Sequence, residues 1–173
     1  AVHGGYIHFV RPRDGLPVVK SLPEPAKLEV VVFWTGESAS TPKLVEAVQA
    51  FGKRTPPLYQ WAMDELRALA ARFLQELTSG NTRGVIEAVS GYQESLRELG
   101  ASAGVDIVTP AFDAASKVAR SLGGASKPSG AGGGDVGIAV FGDPDAAQRF
   151  RQQCPAGISV LDVRVETKGV HRR

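Results

Sequence analysis

Residues 123–141, GGASKPSGAGGGDVGIAVF, hold seven of the 20 glycines of the chain and decide its fold. Residues 125–129 form a short extended segment, residues 130–135 are almost all glycine, and the apolar run at 136–142 is typical of a strand. Concentrated glycine costs conformational entropy, and it occurs where the backbone takes positive φ or closely approaches a ligand. Successive amide N–H groups in such a loop form a concave site that suits phosphate. The stretch therefore predicts a phosphate-binding loop between two strands.

Other interpretations of these glycines are a flexible linker or a long hairpin turn, but the loop lies between strand-like segments rather than between domains. Residues 132–137, GGGDVG, also satisfy the G-x-G-x-x-G pattern of dinucleotide-binding folds. That pattern follows a strand and opens a helix, whereas these glycines lead into a strand. A Walker A loop is excluded because no Gly-Lys-Ser/Thr follows the glycines.

Working outward from the loop, hydrophobic periodicity and capping signals predict a regular series of elements. Upstream we expect a buried central strand at 28–35, a helix from Ser40 or Thr41 to about Phe51, the longest helix over Leu58–Leu77, a helix from about Thr82 to Leu99 closed by Gly100, and a helix from Pro110 capped by Thr109. Downstream we expect a helix opened by Pro144 and capped by Asp143, then a final strand at 158–166. From residue 28 the order is βαββαβ, which predicts an α+β, ferredoxin-like antiparallel sheet with helices on one face and extra helices in the first crossover.

The first 27 residues do not fit that pattern. Residues 4–12 alternate as a strand, and the turn signal Arg13-Asp14-Gly15 leads into a second extended piece at Leu16–Lys20. We therefore expect a hairpin and linker at 1–27, one domain at 28–166 and a polar tail at 167–173.

Composition narrows the class of protein. A chain of 173 residues with 43% hydrophobic and 22% charged residues predicts one soluble globular domain with an appended segment. Without a membrane-length apolar run or a signal sequence, the expected location is cytoplasmic and no membrane partner is expected. A net charge of +2 argues against a nucleic-acid partner. A single cysteine, Cys154, excludes an internal disulfide and a multi-cysteine metal site, and His3 and His8 lack a third ligand, so no metal site is predicted.

Four further residues are interpreted as structural. Trp34 and Trp61 are expected in the core, whereas Asp106 and Asp113, which lack an identifiable partner, are expected in a turn and on a helix surface.

Three stretches resemble the GHMP kinase superfamily of small-molecule kinases. The glycine-rich stretch resembles its third conserved motif, and the Lys-Pro-Ser before Gly-Ala-Gly-Gly-Gly-Asp is most similar to the bacterial-type phosphomevalonate kinase branch. FWTGESASTPKLVEAV at 33–48 and LRELGASAGVDIVTPAFDAA at 96–115 also resemble that branch, in the same order and spacing. The resemblance covers roughly residues 28–166.

The resemblance implies the C-terminal, substrate-binding half of a two-domain enzyme. In the intact enzyme, ATP with Mg2+ would phosphorylate the phosphate of 5-phosphomevalonate, a step of isoprenoid biosynthesis. The ATP loop and the catalytic aspartate are expected upstream of Ala1 in an N-terminal domain, the hairpin is expected to be its remnant, and the chain alone is expected to be inactive, with no bound cofactor. No catalytic residue is assigned within the chain, and whether two copies pair as a homodimer is left open.

The resemblance also implies which residues meet the phosphates. The candidates around the acceptor phosphate and the transferred phosphoryl are Lys127, Ser129, Gly130, Ala131 and Gly132, with Gly133, Gly134 and Asp135 shaping the loop. Ser38, Ser40 and Thr41 would approach the substrate phosphate at a helix N-terminus, where free N–H groups and the helix dipole favour an anion. Plain N-capping is the competing role for Thr41, and Glu37 beside a proposed anion site is unexpected.

Alternative functions remain open on the sequence. One is another kinase of the superfamily, such as a mevalonate kinase or a sugar kinase. The other is a non-enzymatic ferredoxin-like module that binds a ligand, a protein or RNA. RNA recognition would require exposed aromatic residues on the central strands, where the last two strands offer only Phe141.

Overall fold

The computed structural model of the chain describes residues 3–12, 14–25 and 27–170. Arg13 of the predicted turn, residues 1–2 and 26 of the predicted hairpin and linker, and residues 171–173 of the predicted tail lie outside this part. The strands are β1 (Tyr6–Val10), β2 (Val18–Leu22), β3 (Glu29–Trp34), β4 (Ala125–Pro128), β5 (Val136–Phe141) and β6 (Ser159–Leu161). The helices are α1 (Thr41–Arg54), α2 (Pro56–Ser79), α3 (Thr82–Ala103), α4 (Pro110–Ser121) and α5 (Pro144–Gln152).

The central sheet has the strand order β4-β5-β3-β6, and every pair is antiparallel. Helices α1 to α4 lie in the first crossover, between β3 and β4, and α5 lies in the second, between β5 and β6. This arrangement confirms the predicted ferredoxin-like fold with extra helices in the first crossover. Strands β1 and β2 form a separate antiparallel pair, which confirms the predicted hairpin.

The main core lies between one face of the sheet and helices α4 and α5. Its centre is a cluster of phenylalanines that are 0% exposed: Phe33, Phe112, Phe141 and Phe150. Gly137 stands directly opposite Phe33 in the sheet, and a Cβ there would lie 2.4 Å from Cζ of Phe33. Glycine therefore makes room for the ring. Each buried phenylalanine contributes about 1.5–3 kcal/mol from apolar burial.

The other face of the sheet is partly covered by the long helices. Ala125, Val140 and Val30 form a row across three strands, and Val89 of α3 and Phe73 of α2 pack against it. Helices α4 and α5 thus lie on one face as predicted, and α2 and α3 reach around the β4 edge to the second. Between this face, α2 and the hairpin lies a mainly apolar cavity of about 790 Å³. None of the helices described here is long and apolar enough to cross a membrane.

Two of the element boundaries that differ from the prediction have a reason in the structure. Helix α3 does not close at Gly100, which is buried inside the helix against the Val105 carbonyl; it ends at Gly104, whose φ is +71°. The final strand covers Ser159–Leu161 only, because the chain beyond it leaves the sheet and meets the hairpin, where the Gly5 amide donates to the Glu166 carbonyl at 2.7 Å.

Three side-chain predictions were also wrong. Trp34 and Trp61 are 40% and 58% exposed, because Trp34 lies at the end of β3 on the second face and Trp61 lies on the outer side of α2. Asp113 has a partner: Arg97 of α3 donates to its carboxylate at 2.7 Å, an ion pair that links α3 to α4.

Candidate functional site

The loop between β4 and β5, residues 129–135, is called the glycine loop here. Three of its glycines have positive φ, at +81° for Gly132, +74° for Gly133 and +132° for Gly134. Asp135 also has positive φ, +58°, and is the only non-glycine residue of the described chain that does. Aspartate tolerates this conformation better than most side chains do. Backbone geometry therefore favours glycine at these three positions, as the sequence predicted.

Close contacts hold the glycine loop on the domain. A Cβ on Gly132 would lie 2.3 Å from the Ile107 carbonyl oxygen, just before α4, and the Gly133 amide donates to that carbonyl at 2.8 Å. On the other side, the Asp135 amide donates to the Glu37 carbonyl at 2.7 Å. The loop is thus clamped between the segment before α4 and the segment before α1.

Some amides of the glycine loop lack a hydrogen-bond acceptor among the described residues. Within the part of the chain that the structure describes, four of them donate to no acceptor: those of Gly130, Ala131, Gly132 and Gly134. Gly130 and Ala131 are exposed, while Gly132 and Gly134 are buried. Neighbouring N–H groups in turns of this kind form anion-binding concavities.

The N-terminus of α1 lies directly beside the glycine loop. A Cβ on Gly134 would lie 2.9 Å from the Glu37 carbonyl oxygen and 3.4 Å from the Ala39 amide nitrogen. Ser38, Ser40 and Thr41 follow in this segment and are all exposed. The structure therefore brings the two predicted groups of site residues together. Glu37, whose side chain is exposed, contributes its backbone carbonyl.

The first turn of α1 has unusual electrostatics. Ser40 is the N-cap residue, yet its side chain makes no capping hydrogen bond, and the first turn holds no acidic residue. Lys43 stands in that turn and forms no ion pair with any described residue. A cation at the positive end of a helix dipole is unfavourable by itself, whereas an anion bound there would be favourable.

Lys127 stands two residues before the glycine loop along the chain. It stands on β4, half-buried, and its Nζ donates to the Pro128 carbonyl at 2.7 Å and lies 5.1 Å from the centre of the Tyr92 ring. Burial lowers the pKa of Lys127 below its ordinary value of 10.5, although both contacts favour the charged amine. The amine is thus held between the sheet and α3, next to the residue from which the loop begins.

Thr35, Ile107 and Lys43 are parts of the site that sequence reasoning missed. Ile107 acts through its backbone carbonyl, and a carbonyl leaves no signature in a side-chain pattern. Thr35 is 4% exposed and bridges the two loops. Its position directly after a strand was the only available signal, and that signal does not distinguish a bridging hydroxyl from an ordinary strand end.

The described side chains were compared with the groupings that hold a metal ion in proteins. In residues 3–12, 14–25 and 27–170, no three His, Cys, Asp or Glu side chains are grouped so that they could hold a metal ion.

Comparisons with known proteins match this chain to a protein family. The family model described as "GHMP kinases C terminal" matches residues 60–158, more than half of the chain. The phosphomevalonate kinase of Streptomyces sp. (strain CL190) is 35% identical over 130 residues, which are 75% of this chain and 34% of that protein.

Solved structures show the same fold. The Lin0012 protein from Listeria innocua has a TM-score of 0.80 and 30% identity, and the match covers 84% of this chain and 41% of that one. Streptococcus pneumoniae phosphomevalonate kinase, solved in complex with phosphomevalonate and AMPPNP, has a TM-score of 0.73 and 24% identity, and the match covers 86% of this chain and 43% of that one. The chain thus spans between a third and a half of the length of these relatives.

Proposed function

The chain belongs to the family of GHMP kinase C-terminal domains, and from that premise we propose that it is the substrate-binding part of a phosphomevalonate kinase. The complete protein would transfer the terminal phosphoryl group of ATP to a phosphate oxygen of 5-phosphomevalonate, giving ADP and 5-diphosphomevalonate. The observation that carries the proposal is that the glycine loop, with four amides that donate to no described acceptor, lies directly beside the N-terminus of α1.

Two adjacent anion-binding elements suit an acceptor that is itself phosphorylated. Such a substrate brings one phosphate of its own and receives a second phosphoryl group beside it. Phosphoryl transfer depends mainly on positioning and on stabilising charge, so backbone donors and a nearby cation are an adequate contribution from one domain. An acceptor without a phosphate would leave one of the two elements without a partner.

We assign the two elements as follows. The free amides of the glycine loop would receive oxygens of the transferred phosphoryl group and of the acceptor phosphate, and the Ser129 hydroxyl, which is exposed, would add a donor. The start of α1 would hold the acceptor phosphate through Ser38, Ser40 and Thr41, with Lys43 supplying positive charge. Lys127 would add positive charge near the start of the loop while it remains in contact with the Tyr92 ring.

The remaining parts of the reaction belong outside these residues. We propose that the ATP loop and the catalytic aspartate lie in the portion of the relatives that this chain does not span, so that residues 1–173 alone would not turn over substrate. ATP is expected to bind there with Mg2+, in the cytoplasm.

The test uses the protein expressed from its complete gene. ADP release is measured with phosphomevalonate, mevalonate or galactose as the acceptor, and the product is identified by phosphorus NMR. We expect phosphomevalonate to stimulate ADP release and to give a diphosphate, and the other two acceptors to give neither. Stimulation by mevalonate or galactose in place of phosphomevalonate would refute the proposed acceptor.

A further inference from the structure

We propose that Thr35 is a positioning residue that fixes the spacing between the glycine loop and the start of α1. It would touch neither phosphate. Its importance for substrate binding rests on the proposed function, whereas its action on the loops follows from hydrogen bonds in the structure.

Thr35 joins the two loops through both of its donors. Its amide and its Oγ1 each donate to the Asp135 carbonyl at 3.0 Å, and Oγ1 also lies 3.3 Å from the Glu37 carbonyl. The Asp135 amide returns a hydrogen bond to the Glu37 carbonyl at 2.7 Å. Because a hydroxyl has a single proton, Oγ1 shares it between the two carbonyls, with the shorter bond to Asp135.

The carbonyl that accepts hydrogen bonds from Thr35 belongs to Asp135, whose backbone conformation is unfavourable for a residue with a side chain. Asp135 stands at φ +58°, a conformation that side-chain-bearing residues seldom adopt, and it directly follows the glycines with free amides. The Asp135 carbonyl belongs to the peptide plane between Asp135 and Val136, and the Asp135 amide, which donates to Glu37, belongs to the plane between Gly134 and Asp135, so hydrogen bonds hold the planes on both sides of this residue. Strain of this kind persists only where the surrounding structure holds it in place.

The segment that Thr35 joins to the glycine loop is itself anchored. Gly36 has φ +86°, and a Cβ there would lie 2.6 Å from the Gly157 carbonyl oxygen. The segment is therefore packed closely against Gly157 at Gly36, directly after Thr35. Because the Thr35 hydroxyl binds the carbonyls of both Asp135 and Glu37, it keeps the glycine loop at a fixed distance from the start of α1.

The variant Thr35→Val removes the hydroxyl and keeps the branched shape. It leaves no buried carbonyl without a donor, because Asp135 still accepts from the Thr35 amide and Glu37 still accepts from the Asp135 amide. The variant is therefore expected to fold, and Thr35→Ala provides the same test if valine disturbs the end of β3. Thr35→Ser restores the hydroxyl. Thr78→Val is the matched control, because Thr78 Oγ1 also donates to two carbonyls, those of Leu74 and Gln75 in α2.

Two measurements on the complete protein test the inference. Amide hydrogen exchange without ligand should be about tenfold faster at Asp135 in Thr35→Val, since one net hydrogen bond is worth roughly 1 kcal/mol or slightly more. In steady-state kinetics the KM for phosphomevalonate should rise by about the same factor, while the KM for ATP stays within about twofold. Thr35→Ser should restore both values, and Thr78→Val should change neither.

The outcomes separate this inference from the proposed function. Unchanged exchange at Asp135 in Thr35→Val would overturn the inference, and so would faster exchange with an unchanged KM for phosphomevalonate. If the unmodified protein phosphorylates none of the acceptors, the proposed function fails. In that case hydrogen exchange alone decides whether Thr35 holds the two loops together.

Discussion

Gly132 shows how a single residue makes the glycine loop possible. Its φ of +81° disfavours any side chain, and a Cβ there would meet the Ile107 carbonyl oxygen at 2.3 Å. Gly130, two residues earlier in the same loop, has no positive φ in this structure and would place a Cβ in open space. The two glycines therefore serve different purposes, although the sequence presents them alike.

We predict that Gly132→Ala destabilises the domain by about 2 kcal/mol or more, because it combines a disfavoured backbone with a clash against main chain. Gly130→Ala should change the free energy of unfolding by less than about 0.5 kcal/mol, as expected for an exposed site. Chemical denaturation of both variants measures the difference. Equal stabilities would mean that the loop does not hold the conformation described here.

The sequence predicted that glycines were needed in this loop but not which carbonyls they approach. Ile107 and Glu37 lie far from the loop along the chain and act through backbone oxygens, which every residue possesses. Only the fold brings them to the loop. The bridging role of Thr35 was hidden for the same reason, since its partners are carbonyls contributed by other segments.

At the scale of elements, the N-cap residue of α5 forms a capping hydrogen bond, whereas the N-cap residue of α1 does not. Asp143 caps α5 by accepting a hydrogen bond from the Asp145 amide at 3.0 Å. Ser40 occupies the same position on α1, but its side chain makes no capping bond. A cap that forms no bond contributes little to stability and leaves its hydroxyl free for a ligand.

We predict that Asp143→Ala lowers the free energy of unfolding by about 1 kcal/mol, the usual loss for an N-cap, and that Ser40→Ala lowers it by less than half as much. In the complete protein, Ser40→Ala should raise the KM for the phosphorylated acceptor severalfold. Thermal unfolding and steady-state kinetics of the two variants check this. A large loss of stability in Ser40→Ala without a change in KM would assign Ser40 to capping alone.

Hydrophobic periodicity predicted most of the helices and strands correctly, since strands and helices bury apolar residues at different intervals along the chain. The errors arose where tertiary contacts decide the boundary. Gly100 resembles a helix terminator in the sequence, but it lies inside α3, and glycine is needed there because the Val105 carbonyl and Ile107 lie where a side chain would stand. Residues 162–166 continue the alternating pattern of a strand, yet β3 pairs only with Ser159–Leu161.

At the scale of the whole molecule, the hairpin is joined to the domain by the segment that follows β6. The Gly5 amide donates to the Glu166 carbonyl, and Gly4 lies so close to this segment that a Cβ would stand 2.4 Å from the Thr167 carbonyl oxygen. The three heavy atoms nearest to that Cβ are all main-chain atoms, of Thr167, Lys168 and Gly169, so no side chain can turn aside to make room. Because residues 166–169 contact the hairpin and not β3, the final strand ends at Leu161.

We predict that Gly4→Ala separates the hairpin from residues 166–169 without disturbing the central sheet. The lost hydrogen bond, worth about 1 kcal/mol, should make amide exchange at Gly5 about fivefold faster, and proteolysis within residues 162–170 should accelerate. Exchange in β3 and β5 should stay unchanged, because their pairing does not involve Gly4. Ser21→Ala, at an exposed position of β2 opposite Ile7, is the control and should have no effect on Gly5. If exchange at Gly5 is the same in Gly4→Ala as in the unmodified protein, the contact with Glu166 does not hold the hairpin.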